Sequence, residues 1–284
     1  MPPRTAPTLR QRRLGTELRR MREAAGLNAR EAAQTLGIDH TKISHMETAR
    51  FGVSPDRIRV LAGCYGCTDT EYIDALIKLA TDRKKGWWED YRGVLPAGFL
   101  DLTELENKAK YLYSYQIGHI PGLTQTEEYA RAIFDFGAPH RLPKRESEAR
   151  IAHRIRRAHI LTREDAPQVT ALIHEAALRM RFGGADVTRR QLVHLLNISE
   201  LPNCTFRVFT FEAEGFAGSG QSILYASGSV PKLDTVHLDS SHGPVFLDTE
   251  AQLTAYRQLL QTMEKRTLSA SKSRDFIRKV AQEL

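Results

Sequence analysis

The chain has 284 residues, 41% of them hydrophobic, with 41 Lys+Arg against 34 Asp+Glu and three cysteines, which excludes a miniprotein and a disordered tail and suits two globular domains. No run approaches the roughly 18 uninterrupted apolar residues of a membrane-spanning helix, and the opening MPPRTAPTLRQRR has no apolar stretch suited to a secretion signal. Three cysteines make no disulfide framework, so the expectation is a cytoplasmic protein, away from membranes, resting on packed apolar cores.

Residues 1–8 are Pro-rich and read as a flexible basic arm. A helical pattern follows from Leu9 to about Ala25, with Leu14, Leu18 and Met21 at helical spacing before Gly26. Four shorter helices fit Asn28 to Leu36, Asp39 to Thr48, Ser54 to Tyr65 and Asp69 to Thr81, each opened by a residue suited to capping. Residues 9–83 are therefore expected to form an all-α five-helix domain. Charge concentrates here: residues 1–85 hold 16 Lys+Arg and 10 Asp+Glu, and Arg4, Arg10, Arg12, Arg13, Arg19, Arg20 and Arg22 face the single acid Glu17 within residues 1–22. Such asymmetry suits a polyanion-facing segment or a solvated helix face.

The run DRKKGWWEDYRGVLPAGF, residues 82–99, breaks the pattern and marks the junction to a second domain, residues 84–284. Helices are expected near 101–117, 124–137, 145–163 and 186–199. Strands are expected at Phe206 to Phe211, Ile223 to Ala226, Val236 to Asp239 and Val245 to Leu247, and closing helices at about 249–264 and 271–283. This is a mixed α+β domain without regular βαβ alternation.

The segment NAREAAQTLGIDHTKISHMETA, residues 28–49, has two short amphipathic helices around a tight turn. Ala33 is small where the helices cross, Gly37 accepts the positive φ of the turn, and Ala32, Leu36, Ile38, Ile43 and Met46 form the seam. Asp39 can cap the second helix, whose outward residues are then His40, Thr41, Lys42, Ser44 and His45, all able to hydrogen-bond. A helix with that face is suited to reading bases.

This pattern resembles the Cro/C1 (XRE)-type helix-turn-helix over residues 9 to about 68, through Gly26-Leu27-Asn28, Glu31, Ala33, Leu36-Gly37-Ile38, Ile43-Ser44 and Glu47. The resemblance implies that His40, Thr41, Lys42, Ser44 and His45 approach major-groove edges of double-stranded DNA, and that Asn28 and Arg50 hold phosphates. It also implies a structural ion pair between Arg22 and Glu47. Members usually carry Gln where this chain has Ala29, so a phosphate anchor is replaced and binding leans on the basic arm.

The second half resembles a C-terminal domain of unknown function (DUF5753-like) found on such modules in actinobacterial, antitoxin-like regulators, through GWWEDYRGVLPAGFLDLTELENKA, GHIPGLTQTEEYARAIF, HEAALRMRFGG and LPNCTFRVFTFE. The implied protein is a sequence-specific transcriptional regulator, a homodimer on a palindromic operator, whose C-terminal domain senses a protein partner or small-molecule effector. The alternative is an antitoxin-like interaction module that captures a small partner protein encoded nearby and uses DNA binding mainly for autoregulation.

Rival chemistry is thin. Cys64-Tyr-Gly-Cys67 has zinc-like spacing without a second pair, and His174-Glu175 lacks a second histidine because Leu178 stands four residues on. Gly215, Gly218 and Gly220 precede a strand, as a hairpin turn does. Arg150, Arg154, Arg156 and Arg157 form a basic stretch, either a partner or phosphate surface or a solvated face with Ile151, Ile155 and Ile160 inward. Trp87, Trp88 and Tyr91 suit a partner hot spot or a wedge between domains. No nucleophile stands with an activating base, so the chain is expected to be no enzyme and to need no metal or cofactor.

Overall fold

The computed structural model describes residues 6–82, 85–137, 143–213, 215, 218, 220–240 and 242–284. The chain divides into two compact units, Met1–Gly86 and Trp87–Leu284. The expected arm falls largely on residues 1–5, outside the described residues.

The first unit holds α1 (Leu9–Ala24), α2 (Ala29–Thr35), α3 (His40–Glu47), α4 (Pro55–Cys64) and α5 (Thr70–Thr81). Local chemistry sets each start. The Thr8 hydroxyl accepts from Gln11 N–H and the Gln11 side chain returns to Thr8 N–H, and Asn28 and Glu31 form the same reciprocal cap on α2. Asp39, Ser54 and Asp69 cap the remaining three helices. Leu14, Leu18, Ile43, Ile58, Leu61 and Leu76 make the core. A Cβ on Gly15 would lie 2.4 Å from the Glu47 carbonyl oxygen, so only glycine lets α1 pass the end of α3 backbone to backbone. Leu36 and Ile38, expected inside the seam, are half-buried, because the turn between α2 and α3 lies at the surface.

Part of the arginine-rich front is spent inside this unit, while Arg12 and Arg19 stay exposed. Arg13 pairs with Glu17 at 2.8 Å, their side chains 7% and 4% exposed. Arg10 Nη1 donates to the Leu79 carbonyl at 2.9 Å and to that of Asp82, and Arg20 shares Glu17. Tyr72 donates its hydroxyl to the same Glu17 at 2.6 Å. One buried carboxylate at the centre of the bundle thus draws in cations that composition alone would send outward. Arg4 lies outside the described residues.

The second unit opens with a 3₁₀ turn at Trp87–Tyr91, then α6 (Ala97–Lys108), β1 (Tyr111–Gln116), α7 (Glu127–Gly137), α8 (Lys144–Ala158), β2 (Gln168–His174), α9 (Glu175–Arg179), α10 (Ala185–Ile198) and β3 (Cys204–Phe209). It closes with β4 (Ile223–Ser227), β5 (Thr235–Leu238), β6 (Val245–Leu247), α11 (Glu250–Glu264) and α12 (Ala270–Gln282). The six strands form one sheet in the order β3-β2-β1-β4-β5-β6. β1 pairs parallel with β2 and β2 with β3, while β4, β5 and β6 run antiparallel.

Two expectations change. The helix placed at 101–117 ends at Lys108, and Tyr111–Gln116 is the central strand. Gln168–His174, which no sequence period marks, is its parallel neighbour, so strand and helix do alternate from β1 to β3. Phe211 lies past the end of β3 and is 61% exposed.

The side-chain period of two splits β1 between two cores. Leu112 joins Val169, Phe206, Val208 and the apolar faces of α10 and α12, whereas Tyr115 joins Leu172, Val236 and the α11 residues Leu253, Leu260 and Met263. Helix α8 is not a solvated basic face. Arg157 is buried in a bidentate pair with Glu106, at 2.6 and 2.9 Å, and Arg156 pairs with Asp90 at 2.8 Å. Trp88 packs with Leu95 and Leu100, and the Trp87 and Tyr91 rings sit 5.4 and 5.1 Å from the buried His153 ring.

Candidate nucleic-acid interface

Helix α3 is anchored before it presents anything. Asp39 Oδ1 accepts from Thr41 N–H at 2.6 Å, and the Thr41 hydrogen bonds hold the Asp39 carboxyl below the usual range. Gly37 turns the chain into this cap at φ 62°, a conformation cheap only for glycine. Ile43 and Met46 then point into the bundle at 1% and 8% exposure, which fixes the rotation of the helix.

With that rotation set, His40, Thr41, Lys42 and Ser44 are exposed together on one side of α3. They offer hydroxyl, ammonium and imidazole groups, the donors and acceptors that base edges and phosphates require. His45 stands apart from them: it is half-buried, its ring 4.7 Å from that of Phe51 and nearly perpendicular to it. Its carbonyl accepts from Arg50 N–H at 2.8 Å, so the chain leaving α3 folds back beside it. Arg50 is exposed at that corner. Asn28 is exposed at the start of α2, where its Oδ1 is committed to the Arg30 and Glu31 N–H groups at 2.9 and 3.0 Å. Only its amide NH₂ remains as the donor pair for a phosphate.

Behind this surface, Arg22 and Glu47 form a bidentate pair at 2.6 and 2.8 Å, both side chains 8% exposed. The hydrogen bond to Glu47 raises the Arg22 pKa, and a further Arg22 nitrogen holds the Leu27 carbonyl at 2.7 Å. One guanidinium thereby ties α1 both to the end of α3 and to the residue entering α2. Phe51, 45% exposed beside His45, sits on a loop, where no periodicity in the sequence marks it.

The rival motifs stay unassembled. Cys64 and Cys67 are free and half-buried, and no group of three or more His, Cys, Asp or Glu side chains among the described residues could hold a metal ion. No helix among the described residues is long and apolar enough to cross a membrane.

Two capped helices, a glycine turn and an outward polar face on the second define a helix-turn-helix DNA-binding module. A family profile described as a helix-turn-helix domain matches residues 13–73, and one described as a domain of unknown function (DUF5753) matches residues 99–279. The chain belongs to the DUF5753 family and carries an XRE-type helix-turn-helix at its N-terminus. Neither the curated proteins nor the solved structures contain a match.

Proposed function

We propose that the protein is a sequence-specific transcriptional regulator that binds a palindromic operator as a homodimer, reading bases with Thr41, Lys42 and Ser44 and with His40 at the mouth of the groove. The observation that carries this reading is the combination on α3: Ile43 and Met46 lock the helix from behind while its exposed side holds only polar groups. The B-DNA major groove, about 12 Å wide, admits one helix of this kind. His45 is assigned to the edge of the interface, because its ring is partly covered by Phe51. Asn28 and Arg50 supply phosphate contacts that set register. The C-terminal domain serves regulation by a partner or effector, and no catalytic step is assigned to the chain.

Dimeric recognition requires two half-sites about 34 Å apart, one helical turn. Sedimentation of the purified chain with an operator selected from random DNA tests this. The expected result is two chains per duplex and a steep loss of affinity when the half-site spacing is changed by five base pairs. One chain bound per duplex, indifferent to spacing, contradicts it.

A further inference from the structure

The second unit contains a cavity of about 170 Å³ between one face of the sheet and helices α6 and α8. Its floor follows from the register. Ser114 on β1 pairs with Leu224 on β4, and Leu224 pairs with His237 on β5, so these three residues form one cross-sheet row. Gln116 stands two residues beyond Ser114 on the same face. Ser114, Gln116 and His237 are only 7%, 9% and 4% exposed, and all three line the cavity. These three polar side chains stand together on a face that Leu112, Val169, Ala171 and Phe206 otherwise line at the cavity; of the three, His237 is engaged, its ring 5.2 Å from Phe246 and its Nε2 3.5 Å from Asp239.

Two of the wall residues make the cavity chemically unbalanced. Gln116 Oε1 is buried and has no hydrogen-bond partner, an arrangement that costs roughly 1–3 kcal/mol and is rare without a ligand or water. Arg154, on α8, gives Nη1 to Gln125 Oε1 at 2.7 Å and lies 4.8 Å over the Phe134 ring, yet no carboxylate among the described residues lies within 4.0 Å of it. The nearby Glu106 is already bound at both oxygens by Arg157. That pair is closed on itself; Asp239, which also lines the cavity, is 62% exposed with its Oδ1 3.5 Å from His237 Nε2 and makes no ion pair with Arg154, so the Arg154 guanidinium has no direct carboxylate partner among the described residues. Burial lowers the Arg154 pKa to about 9 and Arg157 lowers it further, while Asp239 and Glu106 act in the opposite direction. A Cβ on Gly122 would lie 3.2 Å from Arg154 Nη1, so the guanidinium rests close against the main chain. The rest of the wall is largely apolar, with Phe99, Leu102 and Phe206 among its residues, and is completed by His119, Thr124 and Asp239.

We propose that this cavity is a binding site for a small organic monocarboxylate with an apolar body and a hydrogen-bond donor at its far end. Arg154 takes the carboxylate, Gln116 Oε1 accepts from the donor, and Phe99, Leu102 and Leu224 enclose the body. Size limits the class: a cavity of about 150 Å³ accommodates benzene, so a ring or short branched chain with one carboxylate fills this one. The site rests on α8, whose His153 and Arg156 also clasp Trp87 and Tyr91, the first residues of the unit. Occupancy is thereby linked to the segment that joins the two units in sequence.

The test is isothermal titration of the full-length chain, without DNA, so that its outcome is independent of operator binding. The probes are 4-hydroxybenzoate, benzoate, the methyl ester of 4-hydroxybenzoate and inorganic phosphate. The expected result is saturable binding of 4-hydroxybenzoate, at least tenfold weaker binding of the ester, and an intermediate affinity for benzoate. Arg154→Gln is expected to weaken 4-hydroxybenzoate at least tenfold. Gln116→Leu, which keeps the charge and nearly the volume of this buried side chain, is expected to erase the preference over benzoate. Both variants are checked by circular dichroism, and Gln116→Leu keeps the proposal testable if Arg154→Gln fails to fold. No binding of any carboxylate at millimolar concentration, equal binding of the ester, or phosphate binding as well as the organic acid would overturn the proposal.

Discussion

Arg22 on α1 and Glu47 at the end of α3 are joined by two parallel hydrogen bonds, at 2.6 and 2.8 Å, with both side chains 8% exposed. The pair braces α3: it sets where α3 ends relative to α1, while Gly15 allows the two backbones to touch there. Removing one partner leaves the other charge buried, which costs about 3–5 kcal/mol. Arg22→Ala and Glu47→Ala are each expected to lower stability by about 3 kcal/mol in urea unfolding, and Arg22→Met with Glu47→Leu to recover most of the loss. Additive losses in the double variant would show that the two residues act separately.

The inward placement of Arg10 changes what salt dependence should look like. Arg10 serves the Leu79 and Asp82 carbonyls, so Arg10→Ala is expected to cost about 1 kcal/mol of stability and to leave the salt slope of DNA binding unchanged. Arg50, exposed at the corner after α3, is expected to behave oppositely, its replacement by Ala flattening the slope of log K against log salt by about 0.9 without loss of stability. A changed slope in the first variant and an unchanged one in the second would reverse these roles.

His153 provides a pH signature in the second unit. It is 1% exposed, and its Nε2 lies 3.0 Å from Thr103 Oγ1. The Thr103 hydroxyl donates to the Phe99 carbonyl, so the imidazole must be the donor to it and is held neutral with hydrogen on Nε2. Burial lowers its pKa from 6.5 to about 3, and the neighbouring arginines lower it further. Below pH 6.5 the unfolded chain therefore binds more protons than the folded one. The stabilisation is present above that pH and is lost as pH falls toward about 3, by up to about 1.4 kcal/mol per unit. The urea midpoint should drop between pH 7.5 and pH 5, and His153→Gln should drop less, with a remainder from His237 and His174, whose pKa values burial also lowers. Identical pH dependence in the two proteins would contradict this account.

Legibility of the fold in the sequence tracks how local each cause is. Asn28, Asp39, Ser54 and Asp69 act within three residues of themselves, and Gly37 acts at its own φ, so the first unit can be read element by element. β1 follows α6 after two residues, and its Tyr-Leu-Tyr-Ser-Tyr-Gln run continues an apolar pattern that also fits a helix. β2 is buried on both faces at Ala171, Leu172 and Ile173, and such a continuous apolar run carries no period to mark it as a strand. The polar face of α3 is visible because Ile43 and Met46 announce the opposite side, but Arg10 meets Leu79 across 69 residues and Arg154 meets Gln125 across 29. Nothing in a basic run says which of its arginines will find a buried carboxylate or a carbonyl.

The central claim is that the exposed side of α3 reads DNA sequence. Its most direct test is to select bound DNA from a random library with the full-length chain, then measure affinity for the selected and a scrambled site at one fixed salt concentration, for wild type and for Lys42→Ala with Ser44→Ala. The account predicts a shared motif, a preference of about a thousandfold or more over the scrambled site, and a loss of roughly tenfold or more for the double variant on the selected site with little change on the scrambled one. No enriched motif, or a double variant that keeps the preference intact, would contradict it.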